Sequence, residues 1–425
     1  MNCLINKELR RMKNVPEIRF KGFEEEWKTY ILSSIGNFRS NGVDKKIYND
    51  EQIVNLLNYM DVYNYRKITS KNCIDLMKVS ATKKQIKDCN IIKGDIFFTP
   101  SSETPDEIGY VMSIEETLPN TCYSYHLMRF RPFDRILYLS FADYCFSSNY
   151  FRGQMKFKAK GVQRFILSKP DFESLEALLP SYEEQEIITC LFKAIDNVIN
   201  DCKKKIASLK QLKSACLISM FPQQGETVPR VRFKGFDGEW KNIKLKDILV
   251  ERHEMSTITF LLPQLSFTIS EGVIKPENRK TNKRDFLIKD KENKKYIVTK
   301  IGDIIYNPAN VVFGAIHRNN LCDGVVSPIY KIFYSEEDTK FVECIVRNPA
   351  FINKLTLYTE GTVTKLKTLK PESFLDMEVC ITNDKAEQHQ IASYFRNLDI
   401  QISEQEKRLE KLKQIKAACL DKMFV

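Results

Sequence analysis

A duplication limits what this chain can fold into. The stretch Val15-Pro16-Glu17-Ile18-Arg19-Phe20-Lys21-Gly22-Phe23, closed by Trp27-Lys28, returns as Val228-Pro229-Arg230-Val231-Arg232-Phe233-Lys234-Gly235-Phe236, closed by Trp240-Lys241. Ten of the fourteen aligned positions are identical. A second word, Glu184-Gln185, opens a long helical pattern and recurs at Glu387-Gln388. The chain is two copies of one unit, and its function must be one that benefits from being carried out twice.

The 425 residues suffice for two or three domains with full cores. At 43% hydrophobic and 28% charged, the composition is that of a soluble globular protein. No apolar run approaches the roughly 18 residues of a membrane span, so no membrane association is expected. Met1 to Asn14 lacks the apolar core of a signal peptide and has no partner in the second copy. It reads as a short arm, with Met1 or Met12 as the start. The twelve cysteines form no Cys-x-x-Cys pair, which fits reduced thiols in a cytoplasmic protein. His126, His253, His317 and His389 lie too far apart in sequence for ligand spacing, so no metal site is expected. The net charge of +11 permits a polyanionic partner.

Within the lead word, Pro16, Gly22 and the alternation of Ile18 and Phe20 predict a short extended stretch that buries its aromatics, with Trp27 and Trp240 in the core. Later, Gly94-Asp95-Ile96-Phe97-Phe98 reads as a turn into a buried strand, followed by the polar loop Thr99-Pro100-Ser101-Ser102-Glu103. Its copy is Gly302-Asp303-Ile304-Ile305-Tyr306, then Asn307-Pro308-Ala309-Asn310. A constant strand that presents a variable loop is how a scaffold carries specificity. The basic run from Arg152 to Arg164 has a counterpart at Gly361 to Lys367. Alternation of Lys156, Lys158 and Lys160 predicts one face of a strand, either a lysine-protected edge or a phosphate-tracking surface.

Ser181-x-x-Glu184 and Asp384-x-x-Glu387 fit capping boxes. Apolar residues then step by four and three through Ile188, Phe192, Ile195, Ile199, Cys202, Ile206 and Leu209. The second copy runs Ile391, Phe395, Leu398, Ile402, Gln405, Leu409 and Leu412 in the same register. Two helices of roughly 35 residues, about 50 Å each, should pair through these seams. The spacing alone leaves parallel and antiparallel pairing open. Antiparallel pairing would set the globular halves at opposite ends, related by an approximate two-fold axis.

Catalytic sets are missing. There is no phosphate-binding loop and no Gly-x-Gly-x-x-Gly after a strand. Asn307-Pro308-Ala309-Asn310 resembles the Asn-Pro-Pro-aromatic motif of amino-methyltransferases, but lacks the aromatic residue that stacks a flipped base. Glu292-x-Lys294 is half of a nuclease signature without its Pro-Asp. A repeated, basic chain with helical spacers and no catalytic set suits a binder that reads two sites. Duplex DNA with two half-sites meets that description.

The two lead words, Gly-Asp-Ile at 94 and 302, Glu-Gln-x-x-Ile at 184 and 387, and Leu-Lys-x-[Leu/Ile]-Lys at 209 and 412 together resemble the specificity subunit of bacterial type I restriction-modification systems. The resemblance spans residues 15–424. It implies a mixed α+β fold in which two globular α/β target recognition domains are separated by two long helices pairing as an antiparallel coiled coil, with a pseudo-two-fold internal repeat. The expected layout is an arm at 1–14, a recognition domain at 15–180, a helix at 181–221 and a linker at 222–227. A second recognition domain at 228–383 and a helix at 384–425 complete it. The chain would be non-catalytic and cytoplasmic, present once per complex. Each domain would read half of a bipartite, asymmetric sequence on double-stranded DNA. Two methyltransferase subunits and two restriction-translocase subunits would be its partners, and S-adenosylmethionine, ATP and magnesium would belong to them. One departure is Cys380-Ile381, which stands where the first copy has Leu179-Pro180 and where the family often has Pro.

Under that reading the DNA contacts are expected from Thr99, Ser101, Ser102, Arg152, Lys156, Lys158, Lys160, Gln163 and Arg164 in the first copy. In the second they are expected from Asn307, Asn310, Arg318, Thr362, Thr364, Lys365 and Lys367, with basic residues of 275–295 on phosphates. A coiled-coil scaffold that binds only protein and a self-contained DNA methyltransferase or nuclease are the rival readings.

Overall fold

The computed structural model describes residues 14–133, 136–279, 294–359 and 368–424. The chain divides into two compact units, Met1–Cys202 with Arg408–Val425, and Lys203–Lys407. The division falls inside both long helices.

The first unit contains strands β1 (Lys28–Ile31), β2 (Gly36–Arg39), β3 (Gln52–Leu57), β4 (Met77–Ala81), β5 (Asn90–Ile91), β6 (Ile96–Phe98), β7 (Ser101–Ser102), β8 (Val111–Ser113), β9 (Leu118–Tyr123), β10 (Met128–Pro132), β11 (Phe165–Ile166) and β12 (Glu176–Leu179). The second contains β13 (Lys241–Lys244), β14 (Val250–Glu251), β15 (Met255–Ser256), β16 (Ser266–Thr268), β17 (Gly272–Ile274), β18 (Tyr296–Thr299), β19 (Ile304–Tyr306), β20 (Ile316–Arg318), β21 (Gly324–Val326), β22 (Lys331–Tyr334) and β23 (Glu378–Ile381). The helices used below are α1 (Tyr59–Tyr63), α2 (Asn149–Lys158), α3 (Tyr182–Ser219), α4 (Thr339–Val346) and α5 (Lys385–Lys422).

One topology is built twice. The first unit has a four-stranded antiparallel sheet in the order β2-β10-β6-β8, and the second has β14-β22-β19-β20. The strand that follows each lead word pairs with the strand that precedes the long helix, β1 with β12 and β13 with β23. Beyond this frame the units differ. A second four-stranded sheet, β4-β3-β9-β5, stands in the first unit, and separate sheets β15-β18-β21 and β16-β17 stand in the second.

The Gly-Asp-Ile word forms the expected turn into a buried strand. Gly94 and Gly302 take φ of +90° and +97°, a region that costs little only for glycine. The next carboxylate, buried in both units, accepts a backbone N–H three residues earlier, from Ile92 or Lys300. Each is also gripped by an arginine fork, Asp95 by Arg131 and Asp303 by Arg252. The two arginines come from different strands. In register, Arg252 matches Arg39, which pairs instead with Asp88, while Tyr334 takes the place of Arg131 and lies under the Arg252 guanidinium. The repeat keeps the ion pair and changes the strand that supplies it.

Helices α3 and α5 are each 38 residues long, about 57 Å at 1.5 Å per residue. They are antiparallel within each unit. In the second unit Lys210 meets Glu406 and Lys213 meets Asp399, so one chain rises as the other falls. In the first unit Ile188 and Phe192 share a core with Met423 and Phe424, and Asp196 meets Lys416. Ile188, Phe192, Ile199, Cys202, Ile206, Leu209, Ile391, Phe395, Leu398 and Ile402 are buried. Ile195, Gln405, Leu409 and Leu412 are half-buried.

Antiparallel pairing gives each unit the end of the other copy's helix. Trp27 packs edge-on against Phe424, with centroids 6.0 Å apart, and Trp240 against Phe221 at 5.7 Å. The last helical carbonyls, of Lys422 and Ser219, accept the backbone N–H of Ile18 and Val231 in the lead words. That satisfies acceptors which a helix end leaves open.

The lead words themselves are not strands. Residues 15–27 are turns and irregular backbone, Ile18 is half exposed, and Phe20 and Phe23 are only half-buried. Their chain is held by arginine instead of a ladder. The Arg19 fork binds both oxygens of Glu184 at 2.8 and 2.7 Å, and the Arg232 fork binds those of Glu387 at 2.6 and 2.9 Å. Both carboxylates are fully buried. The glutamates expected to close capping boxes are therefore engaged elsewhere, although Ser181 and Asp384 do accept the N–H groups of Glu184 and Glu387. The adjacent Gln185 and Gln388 donate to the Pro180 and Thr382 carbonyls, holding the strand-to-helix link in both copies, with or without proline.

The second unit also buries a polar chain behind β20. On α4, Lys340 bonds Glu343 and Asp399, and Glu343 faces Arg347 and Arg318. Burial alone would raise the Glu343 carboxyl, but Lys340 and the two arginines hold it below its ordinary range. Arg347 donates to His317 Nδ1, so the neutral ring carries its proton on Nε2 and donates it to the Ile269 carbonyl at 2.7 Å. Burial, then the Arg347 charge, pushes His317 down to about 4.

Two tests follow. Arg19→Ala should cost about 3–5 kcal/mol in urea unfolding, because a buried carboxylate loses its partner. A double-mutant cycle with Glu184→Ala should return a coupling energy of about 1–3 kcal/mol. Additive losses would show that the clamp contributes nothing. His317 has a folded pKa below its unfolded value, so its contribution is complete above about pH 6.5 and fades as pH falls toward 4. Stability should drop by about 1–2 kcal/mol between pH 7.5 and 5, and His317→Gln should flatten that slope. An unchanged slope in the variant would assign the pH dependence to other groups.

Candidate nucleic-acid interface

In the first unit the loop after β6 is built from the inside outward. Thr99 is fully buried, and its hydroxyl accepts the Tyr110 N–H. It fixes the loop and is not available to a ligand. Ser101 and Ser102 form β7 against β11. The Ser102 hydroxyl turns inward to the Thr104 carbonyl, while Ser101 accepts a bond from Arg164 at 3.1 Å. Gln163 and Arg164 are exposed on the approach to β11. Arg164, Gln163 and Ser101 are thus brought together at one surface.

The lysine run does not form a strand. Residues 149–158 are helix α2, capped by Ser148, whose hydroxyl accepts the Phe151 N–H. Phe151 and Met155, four residues apart, are the buried positions, so the period of burial is helical and not two. Each basic residue there has a partner. Arg152 donates to the Asp106 and Ile108 carbonyls and lies over the Tyr110 ring. Lys156 meets Asp106, Lys158 meets the Ser174 hydroxyl, and Lys160 meets Asp171. Arg152 and Lys156 secure the 103–110 loop.

Sequence reasoning missed a tyrosine cluster beside Ser101. The Tyr59 hydroxyl donates to the Ser101 carbonyl at 2.8 Å. Tyr59 stacks on Tyr63 across one turn of α1, and Tyr110 contacts the rings of Tyr63 and Tyr65 at 4.8 and 5.5 Å. Tyr65 is more than half exposed and takes φ of +50°, uncommon for a bulky residue. The Tyr59-x-x-x-Tyr63 spacing was the available signal, but it sits in a stretch without clear periodicity.

In the second unit the equivalent loop follows β19. Asn307 returns a bond from its N–H to the Ala315 carbonyl, and its side chain accepts the Ala309 N–H. The Pro308 carbonyl accepts from Leu369, as Pro100 does from Leu167, so the two loops dock alike. Asn307 and Asn310 line a cavity of about 420 Å³ with Thr268, Glu271, Arg279 and Tyr330. Arg318 is not on this surface. Its guanidinium is mostly buried and faces Glu343 at 3.8 Å. Thr362, Thr364, Lys365 and Lys367 lie outside the described residues, as does most of the basic 275–295 stretch. Among the described residues no His, Cys, Asp and Glu cluster fits a metal ion, and no helix is long and apolar enough to cross a membrane.

The comparisons agree with this architecture. Residues 24–211 match the family described as the type I restriction modification DNA specificity domain. The crystal structure of a type I restriction-modification S subunit from M. genitalium is 14% identical, with 97% of this chain and 99% of that one covered and a TM-score of 0.57. A chain from a structural study of complex assembly and conformational transition in the type I R-M system is 13% identical, with 95% and 99% covered and a TM-score of 0.53. No curated protein sequence matches the chain. Residues 24–211 thus carry a type I restriction modification DNA specificity domain, and nearly the whole chain has the fold of the type I restriction-modification S subunit.

Proposed function

We propose that this chain reads a bipartite, asymmetric DNA sequence, one half by residues 15–180 and the other by residues 228–383. The paired helices at 181–221 and 384–425 set the gap between the halves. The observation that carries this reading is a single sheet topology built twice on identical clamps, with chemically different loops in the same place. A repeated frame with unlike loops suits two similar surfaces of unlike sequence.

In the first half, Arg164, Gln163 and Ser101, beside the Tyr59–Tyr110 cluster, are the proposed readers. In the second they are Asn307 and Asn310. Arginine forks match guanine, and side-chain amides match adenine. The clamps and helices form a near-symmetric holder for two methyltransferase subunits, with two restriction-translocase subunits joining them in the cytoplasm. S-adenosylmethionine, ATP and magnesium act on those partners. The arrangement gives this chain the choice of sequence and leaves the chemistry to its neighbours.

Exchanging residues 30–180 for those of another family member should change one half of the methylated motif and leave the other intact. Methylome sequencing reads the result directly, and a change in both halves or neither would refute the modular reading. In the complex with methyltransferase, Arg164→Ala and Asn310→Ala should each relax one base of their own half by about 1–3 kcal/mol. Uniform weakening across sequences would make them phosphate contacts. Adding one heptad to the first helix alone should abolish assembly, since the seams would lose register. Normal assembly with native spacing would count against helices that set the gap.

A further inference from the structure

The segment after β15 presents two large apolar side chains to solvent. Phe260 is 98% exposed and Leu261 80%. They sit at the tip of a closed turn. The Thr259 N–H donates to the Leu262 carbonyl at 3.1 Å, and the Leu262 N–H donates to the Thr259 hydroxyl at 3.0 Å. The flanking Ile258 and Leu262 pack on Tyr296, Val298 and Val325, which fixes the root of the turn to its sheet. The turn is closed by hydrogen bonds, and none of these contacts covers its tip.

One flank of the turn is cationic. Ser256 of β15 lies opposite Tyr296 of β18, and the strands are antiparallel, so the chain beyond Ser256 runs beside Lys295 and Lys294. Both lysines are exposed, and the Lys294 ammonium sits 5.6 Å from the Tyr296 ring. From Met255 to Ser270 the sequence contains no acidic residue, while Ser256, Thr257 and Thr259 offer hydroxyls. A protein-docking patch of ordinary kind is a broader surface with a polar rim of both signs. A projecting apolar pair flanked by hydroxyls and by lysines at the end of the neighbouring strand instead matches the wedges that enter DNA base steps, where lost stacking is offset by contacts that the kinked duplex makes with the protein.

We propose that Phe260 and Leu261 are a wedge that enters one base step of the DNA half-site read by the second unit, with Lys294 and Lys295 on the adjoining phosphates. This rests on the DNA-reading function proposed above. Phe260 supplies a flat ring to replace the lost stacking, and Leu261 fills the opened groove. The step entered should be an easily unstacked pyrimidine–purine step.

The test uses the full chain assembled with its methyltransferase subunits and a duplex carrying the motif recovered by methylome sequencing. 2-Aminopurine is placed in turn at each step of the second half-site. The wild-type complex should raise fluorescence several-fold at one step. Phe260→Ala should remove that rise and weaken binding roughly tenfold, as loss of one base–aromatic stack does. Phe260→Trp should keep most of it. Because Phe260 makes almost no contact within the fold, the alanine variant should assemble normally. The wedge is refuted if wild type binds without unstacking any step, or if Phe260→Ala unstacks and binds as wild type does. It is equally refuted if the variant loses only its methyltransferase subunits, which would make the turn a protein contact. A wild-type complex that binds no DNA would overturn the DNA-reading function itself.

Discussion

Two buried arginine–glutamate clamps hold this structure together. Arg19 on Glu184 and Arg232 on Glu387 each tie an irregular lead segment to the first turn of a long helix. No ladder fixes these lead segments, and their phenylalanines, Phe20, Phe23, Phe233 and Phe236, are only half-buried. Much of their position therefore depends on a charge pair whose carboxylate is out of water. A buried pair of this kind adds little over apolar packing, but it penalises every arrangement in which one partner is left alone. That suits a frame that must form twice, identically, in one chain.

From the clamps the rest follows. Each fixed lead segment offers a tryptophan and a backbone N–H to the helix end arriving from the other copy. Neither compact unit is one sequence repeat; each is a repeat completed by its sibling's last helical turns. The heptad seams must therefore be antiparallel for both tryptophans to be covered. The variable middles rest on this frame through the Gly-Asp turn, whose carboxylate finds an arginine in both units even though the arginine comes from a different strand. Within this frame the loops have been free to differ.

The long helices were legible because a seam of seven positions repeats at the same register, and so was the buried strand after Gly-Asp. Their antiparallel sense was not, since spacing carries no direction. The lysine run at 152–164 misled for a physical reason: alternating charge resembles a strand, but the burial of Phe151 and Met155 decides the helix. The clamps were missed although both partners lie in the repeated words, because helix-capping logic assigned the glutamates a local role. Arg318 reads as an accessible base reader until Glu343, distant in sequence, turns it inward. Local rules found elements, and long-range ion pairs decided which charged residues remained free.

The central claim is that two unlike loops on like frames read two unlike half-sites. The most direct measurement is the methylome of a strain that carries this chain with its own methyltransferase, compared with the same strain lacking it. The account predicts one motif of two specified blocks, different in sequence and separated by a gap of fixed length. A continuous or palindromic motif, or no difference between the strains, would contradict it.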